Sequence, residues 1–179
     1  RQVPDPDEAM IALLRLSEAA SEANCGAFFR TLVNDDEAGP RLVRLLGTSV
    51  ALGDFLARHP DRLADALTDT DTPEIKTQDF RSSLLEAVGA DPESAVPVAS
   101  HPTEMRDALR IQYNTHMCQI ATRDVCASDP AEIQPEVSSQ LSALASAALE
   151  AALALARAGT ADHEKVRLAV IAMGKTGAQ

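Results

Sequence analysis

This chain must build its core almost without aromatic rings. Its 179 residues include one Tyr, four Phe and no Trp, against a hydrophobic content of 45%. The interior therefore has to come from Leu, Ala, Val and Ile, and small or unbranched side chains of that kind pack best between helices. A mostly α fold is the expectation. The formal net charge of −11 argues against non-specific binding to nucleic acid or to an anionic membrane. A solvated acidic surface accounts for it. Cys25, Cys118 and Cys126 are an odd number without CxxC spacing, so neither a disulfide framework nor a zinc ribbon is expected and a reducing compartment is implied. With 24% charged residues, no apolar run read as membrane-spanning and no signal-peptide pattern, a cytoplasmic location follows.

Helix signals recur along most of the chain. Asp5, Pro6 and Glu8 form a start with an acidic capping box, ahead of a helix carrying Met10, Leu13, Leu14 and Ala20 on one face and fading near Asn24. A short second helix holds Phe28, Phe29 and Leu32 and ends at the acidic break Asn34-Asp35-Asp36. Pro40 starts a third, which Gly47 closes as a C-cap. Thr48 or Ser49 caps a fourth, stopped by Pro60, and Asp61 begins a fifth through Leu67. The polar run 68–72 reads as a loop, and Thr72-Pro73-Glu74 as a helix start continued by Phe80, Leu84, Leu85 and Val88 to Gly89. Proline-bearing Asp91 to Pro102 reads as a linker. From Thr103 to Cys126, Met105, Leu109, Tyr113, Met117 and Ile120 recur at helical spacing and predict one apolar stripe. Pro135 opens a last, alanine-rich helix that Gly159 caps.

After His163 the period changes. Val166 to Met173 is a β-branched and apolar run that closes on Gly174, Lys175, Thr176 and Gly177. A lone strand is not stable, so this one needs partners. Three chemistries suit such an ending. A Walker A loop requires glycine at 169, where Ala169 stands, and is rejected. A plain strand and tight turn needs only glycine's backbone freedom. A nucleotidyltransferase loop would use backbone N–H groups, close to phosphate because glycine adds no side chain, with Lys175 supplying a positive charge.

Here LAVIAMGKTGAQ resembles the start of the nucleotidyltransferase segment of glutamine synthetase adenylyltransferases. LVRLLGTSVALGDFLARHPDRL, from Leu42 to Leu63, and LRIQYNTHMCQIATRDV, from Leu109 to Val125, resemble that family's helical stretches in the same order. The resemblance implies an irregular multi-helix bundle over residues 1–164. Residues 165–179 would then be the first β-strand and Gly-Lys turn of a truncated nucleotidyltransferase (polymerase β-like) α/β domain. It implies that Gly174, Lys175 and Gly177 bind nucleotide or phosphate, and that magnesium is held by an Asp-x-Asp motif beyond Gln179. The Gly-Lys turn and LGTSVALGDFLARHP look more like the N-terminal half of that two-part family, which removes AMP from a glutamine synthetase tyrosine by phosphorolysis to give ADP. The other half attaches AMP from ATP. Glutamine synthetase, ATP or ADP, phosphate and a PII-type nitrogen signal protein are the implied partners, with no nucleic acid and no membrane. One departure is visible: the denser arginine cluster after position 103 is thinned here to Arg106, Arg110 and Arg123. Arg1 in place of Met, and the lack of any metal ligand after the turn, lead to the expectation of a fragment that is inactive alone.

Other polar residues offer less. His59 and His101 each precede a proline, His116 sits two residues from Cys118 without an acidic partner at metal-ligand spacing, and His163 follows Gly159. Asp35-Asp36-Glu37 could attract a cation but reads as an acidic loop. The competing function is a non-catalytic helical module that binds a protein partner.

Overall fold

A computed structural model describes residues 3–68, 80–100, 104–162 and 168–171. These contain α1 (Pro6–Glu22), α2 (Gly26–Asn34), α3 (Ala38–Leu46), α4 (Val50–Arg58), a 3₁₀ turn (Pro60–Arg62), α5 (Leu63–Ala66), α6 (Phe80–Ala87), α7 (Met105–Cys126) and α8 (Pro130–Ala158). No strand occurs among the described residues. The mostly helical expectation holds. The helix start near Thr72 and the polar run lie largely outside the described residues.

The chain divides into two compact units, one of Arg1–Lys76 with Asn114–Gln134, the other of Thr77–Tyr113 with Pro135–Gln179. In the first, α1 packs on α3 and α4, and α2 packs on α5 and the 3₁₀ turn. Leu16, Leu42, Leu45, Leu46, Leu56 and Leu63 are fully buried there, each stabilising by about 1.5–3 kcal/mol. Several starts follow the expected chemistry. Asp5 Oδ1 accepts from the Glu8 N–H at 3.0 Å, and Ser49 Oγ accepts from the Leu52 N–H at 3.4 Å. Thr48 turns back instead, donating to the Arg44 carbonyl at 2.7 Å.

Two faces differ from the expected stripes. On α1 the buried residues are Ala9, Ala12, Leu16 and Ala20, while Met10 and Leu14 are exposed. Alanine allows close approach: a Cβ on Gly53 of α4 would lie 3.5 Å from the Ala12 Cβ. On α7 the buried residues are Thr115, His116, Cys118, Gln119, Ile120, Thr122 and Arg123, so only Ile120 of the expected stripe is fully inside. Gly47 closes α3 as expected, its N–H donating to the Val43 carbonyl at 3.0 Å, but with a right-handed φ of −75°, and its missing Cβ matters for space: a side chain would strike Val3 and lie 2.8 Å from the Asp5 carbonyl. Gly159 likewise shows no left-handed φ, and Thr160 Oγ1 donates to the Ala156 carbonyl at the end of α8.

In the second unit Leu84, Leu85 and Leu144 are fully buried. Gly89 takes a left-handed φ of +66°, and the Ala90 N–H reaches back five residues to the Leu85 carbonyl at 2.9 Å, closing α6 in a Schellman turn. Residues 91–100 are a strap on α8 and no free linker. Ala90, Pro97 and Ala99 are buried, the Ala99 N–H donates to the Ala154 carbonyl, and Arg157 donates to the Pro97 carbonyl at 3.1 Å. Arg81 donates twice to Glu150, both at 2.8 Å, and once to the Pro92 carbonyl.

α8 begins five residues before the expected start. Asp129 Oδ1 accepts from the Ala131 N–H at 2.9 Å, and Pro130 suits a first helical position. Pro135 then lies inside the helix, where its missing N–H leaves only one early carbonyl without an intrahelical donor. The helix also corrects the reading that no apolar run could span a membrane. One of its eighteen-residue windows is long and apolar enough by composition, with 28% of it buried. Alanines scattered among Ser and Glu hide this in a residue-by-residue reading.

Candidate functional site

Gly174, Lys175 and Gly177 lie outside the described residues, as do His101 and His163. Of the predicted strand Val166–Met173, residues 168–171 are described, and they take neither strand nor helix. They stand beside α8. Leu168 and Val170 line one side of a groove of about 560 Å³, while Ser146, Leu149, Glu150, Leu153 and Ala156 line the helix side. Ala169 and Ile171 do not line it, so alternate residues share a face as they do along a strand. The volume is that of a small-molecule pocket, but apart from Ser146 and Glu150 its walls are hydrocarbon. Glu150 is the acceptor of the paired Arg81 contact, so the groove offers little to orient a charged ligand.

A second feature lies inside the first unit. α5 is four residues long, so its carbonyls have few partners within the helix. Side chains supply them. Gln119 Nε2 donates to the Asp65 carbonyl at 2.9 Å, Thr122 Oγ1 to Ala66 at 3.4 Å, and Arg41 Nη1 to Leu67 at 3.5 Å. Gln119 Oε1 meets His116 Nδ1 at 2.8 Å, which fixes that nitrogen as the proton carrier when the amide nitrogen serves Asp65. Burial holds the His116 imidazole below its ordinary pKa, against smaller opposing effects of the Gln119 bond and the Asp65 charge. The polar face of α7 is thus a cap for α5. Burial pushes the nearby Cys118 thiol up to about 12, which makes it a poor nucleophile.

The remaining candidates serve local structure. His59 follows α4, and its ring centroid stands 5.2 Å from that of Phe55. Asp35 accepts from the Glu37 N–H at 2.9 Å and pairs with Arg41 at 3.3 Å, so the acidic loop starts α3. Arg106 and Arg110 are exposed, Arg110 pairing with Asp107, whereas Arg123 is buried. The three cysteines are free. Among the described residues no group of three or more His, Cys, Asp or Glu side chains could hold a metal. Arg81, Glu150 and Arg157, which tie the strap to α8, are not legible as a set because they are far apart in the chain.

Comparison with known proteins adds a family. The family model described as glutamate-ammonia ligase adenylyltransferase matches residues 39–179. The bifunctional glutamine synthetase adenylyltransferase/adenylyl-removing enzyme of Cutibacterium acnes is 43% identical over 176 residues, 98% of this chain and 17% of the relative. The enzyme of the same name from Bifidobacterium longum (strain NCC 2705) is 41% identical over 178 residues, 98% of this chain and 16% of the relative. That of Streptomyces avermitilis is 37% identical over 177 residues, 97% and 16%. The chain therefore spans about a sixth of the length of these relatives. No solved structure matches it significantly.

Proposed function

The chain belongs to the glutamate-ammonia ligase adenylyltransferase family, and from that premise we propose that it works within a protein of the relatives' length that regulates glutamine synthetase by adding and removing AMP. Its place is the N-terminal, deadenylylating half. The observation that carries the family role is the match over residues 39–179, and the wording LGTSVALGDFLARHP with Gly174-Lys175 supports this half. In this reading Leu168–Ile171 belongs to the first strand of a nucleotidyltransferase domain, and Gly174, Lys175 and Gly177 hold phosphate oxygens. Glycine lets backbone N–H groups approach the anion, and the lysine adds a point charge.

The reaction is phosphorolysis. An oxygen of inorganic phosphate attacks the phosphorus of tyrosine-bound AMP, the tyrosine oxygen leaves and takes up a proton, and ADP is the product. The described residues do not fit a magnesium site, so no step is assigned to metal held by them. The ligands belong beyond Gln179 in this reading, and the 179-residue chain alone is inactive. Adenylylated glutamine synthetase, phosphate and magnesium should yield ADP with the longer protein and none with this chain. ADP release by the short chain would overturn the assignment.

A further inference from the structure

Packing inside the first unit leaves one face of α1 apolar and uncovered. Ala9, Ala12, Leu16 and Ala20 turn inward, while Met10, Ile11 and Leu14 are 62%, 55% and 60% exposed. Residues three and four apart are neighbours on a helix surface, so these three form one patch away from the buried row. Single exposed apolar residues need no explanation, but large ones grouped on adjoining turns mark a surface that a partner covers. The patch is framed by charge of one sign. Asp7 stands one turn before Met10 and Ile11, and Glu18 and Glu22 stand one and two turns after Leu14. All three carboxylates are exposed, and none is in an ion pair among the described residues. Arg15 is the one basic residue of α1, and Asp54 of α4 already matches its charge at 2.7 Å.

We infer that this face docks a basic amphipathic helix of a protein partner. Its apolar residues cover Met10, Ile11 and Leu14, and its lysines or arginines meet Asp7, Glu18 and Glu22. Charge complementarity selects this occupant. A second copy is disfavoured, because a two-fold contact sets a patch against itself and would bring like carboxylates together between chains of net charge −11. An anionic bilayer is repelled by the same carboxylates. A helix suits the shape, since side chains at i, i+3 and i+4 form ridges that fit the grooves of another helix. The inference draws on no residue of the terminal turn and stands apart from the functional reading above.

The test titrates the longer protein into a labelled amphipathic helical peptide of about eighteen residues made of Leu, Ala and Lys, and into its counterpart with Glu for Lys. Fluorescence anisotropy reads the affinities. The lysine peptide should bind at least about tenfold more tightly than the glutamate peptide. Bulk attraction to an acidic protein gives the same preference, so substitutions separate the two causes. Leu14→Glu adds negative charge while removing an apolar anchor, and should weaken the lysine peptide about tenfold or more. Val33→Glu adds the same charge on α2, where Val33 is 77% exposed, and should change the affinity by less than about twofold. Glu18→Lys combined with Glu22→Lys should reverse the preference between the peptides. All four side chains are exposed, so the fold survives these changes. Lysine-peptide binding that Leu14→Glu strengthens or leaves alone overturns the inference, as does an equal loss in Val33→Glu. Failure of the longer protein to bind the peptide overturns it too, because its own polypeptide then covers the face. So does self-association in sedimentation that Leu14→Glu abolishes, which identifies a second copy, or adsorption to vesicles of anionic phospholipid that the same variant removes.

Discussion

At Gly47 the backbone needs no unusual dihedral, yet the position tolerates no side chain, because the segment Val3–Asp5 crosses it and the Asp5 N–H donates to its carbonyl at 3.2 Å. Gly47→Ala should cost about 1–3 kcal/mol by overpacking. Gly39→Ala, in α3 with nothing within 4 Å of the added carbon, should gain about 0.5–1 kcal/mol from helix propensity. Urea midpoints moving in opposite directions check the pair, and midpoints moving together would contradict the packing. His116 makes a different claim. Its pKa is lowered in the fold from the ordinary 6.5, mainly by burial, so folding favours the neutral ring. Its contribution to stability is complete above the ordinary value and is lost as pH falls below it, where the unfolded chain takes up the proton first. Melting temperatures from about pH 7.5 to about pH 5 should fall more steeply for this chain than for His116→Phe. The readout is the slope, since the variant also strands the Gln119 oxygen. Parallel slopes would contradict a buried neutral histidine.

Between elements, hydrogen bonds decide what periodicity misses. Helix starts at Asp5 and Ser49 are legible because the capping residue and its N–H lie within one turn of sequence. The Schellman turn at Gly89 is legible for the same reason. The buried face of α7 is not, because it is chosen by the unsatisfied carbonyls of α5, more than fifty residues away. Apolar spacing points instead to Met105, Leu109, Tyr113 and Met117, which the fold leaves partly exposed. Gln119→Leu should destabilise by about 1–3 kcal/mol by leaving the Asp65 carbonyl and His116 short of partners. A loss below a few tenths in denaturant titration would show that the cap is idle. The strap misleads for a similar reason: prolines suggest a linker, but Arg81 and Arg157 hold 91–100 on α8. Both partners of the Arg81–Glu150 pair are about a third exposed, so a double-mutant cycle of Arg81→Met with Glu150→Gln should give only about 1 kcal/mol of coupling.

For the molecule as a whole, helical class and family resemblance were legible early, the first from the want of aromatics and the second from local wording at Leu42–Leu63 and after Val166. The two-unit division was not, since α7 and α8 each pass from one unit into the other at Tyr113–Asn114 and Gln134–Pro135; the first point lies within a run that reads as unbroken helix, and the second at a proline that reads as a helix start. The proposed phosphate site at Gly174, Lys175 and Gly177 rests on motif wording and family membership. Its decisive test is a split between two activities. Lys175→Ala in the longer protein should slow ADP release from adenylylated glutamine synthetase by about tenfold or more, as befits a lost charge on a phosphate. The same variant should leave AMP attachment from ATP unchanged. Loss of attachment with ADP release intact would contradict the assignment to the deadenylylating half.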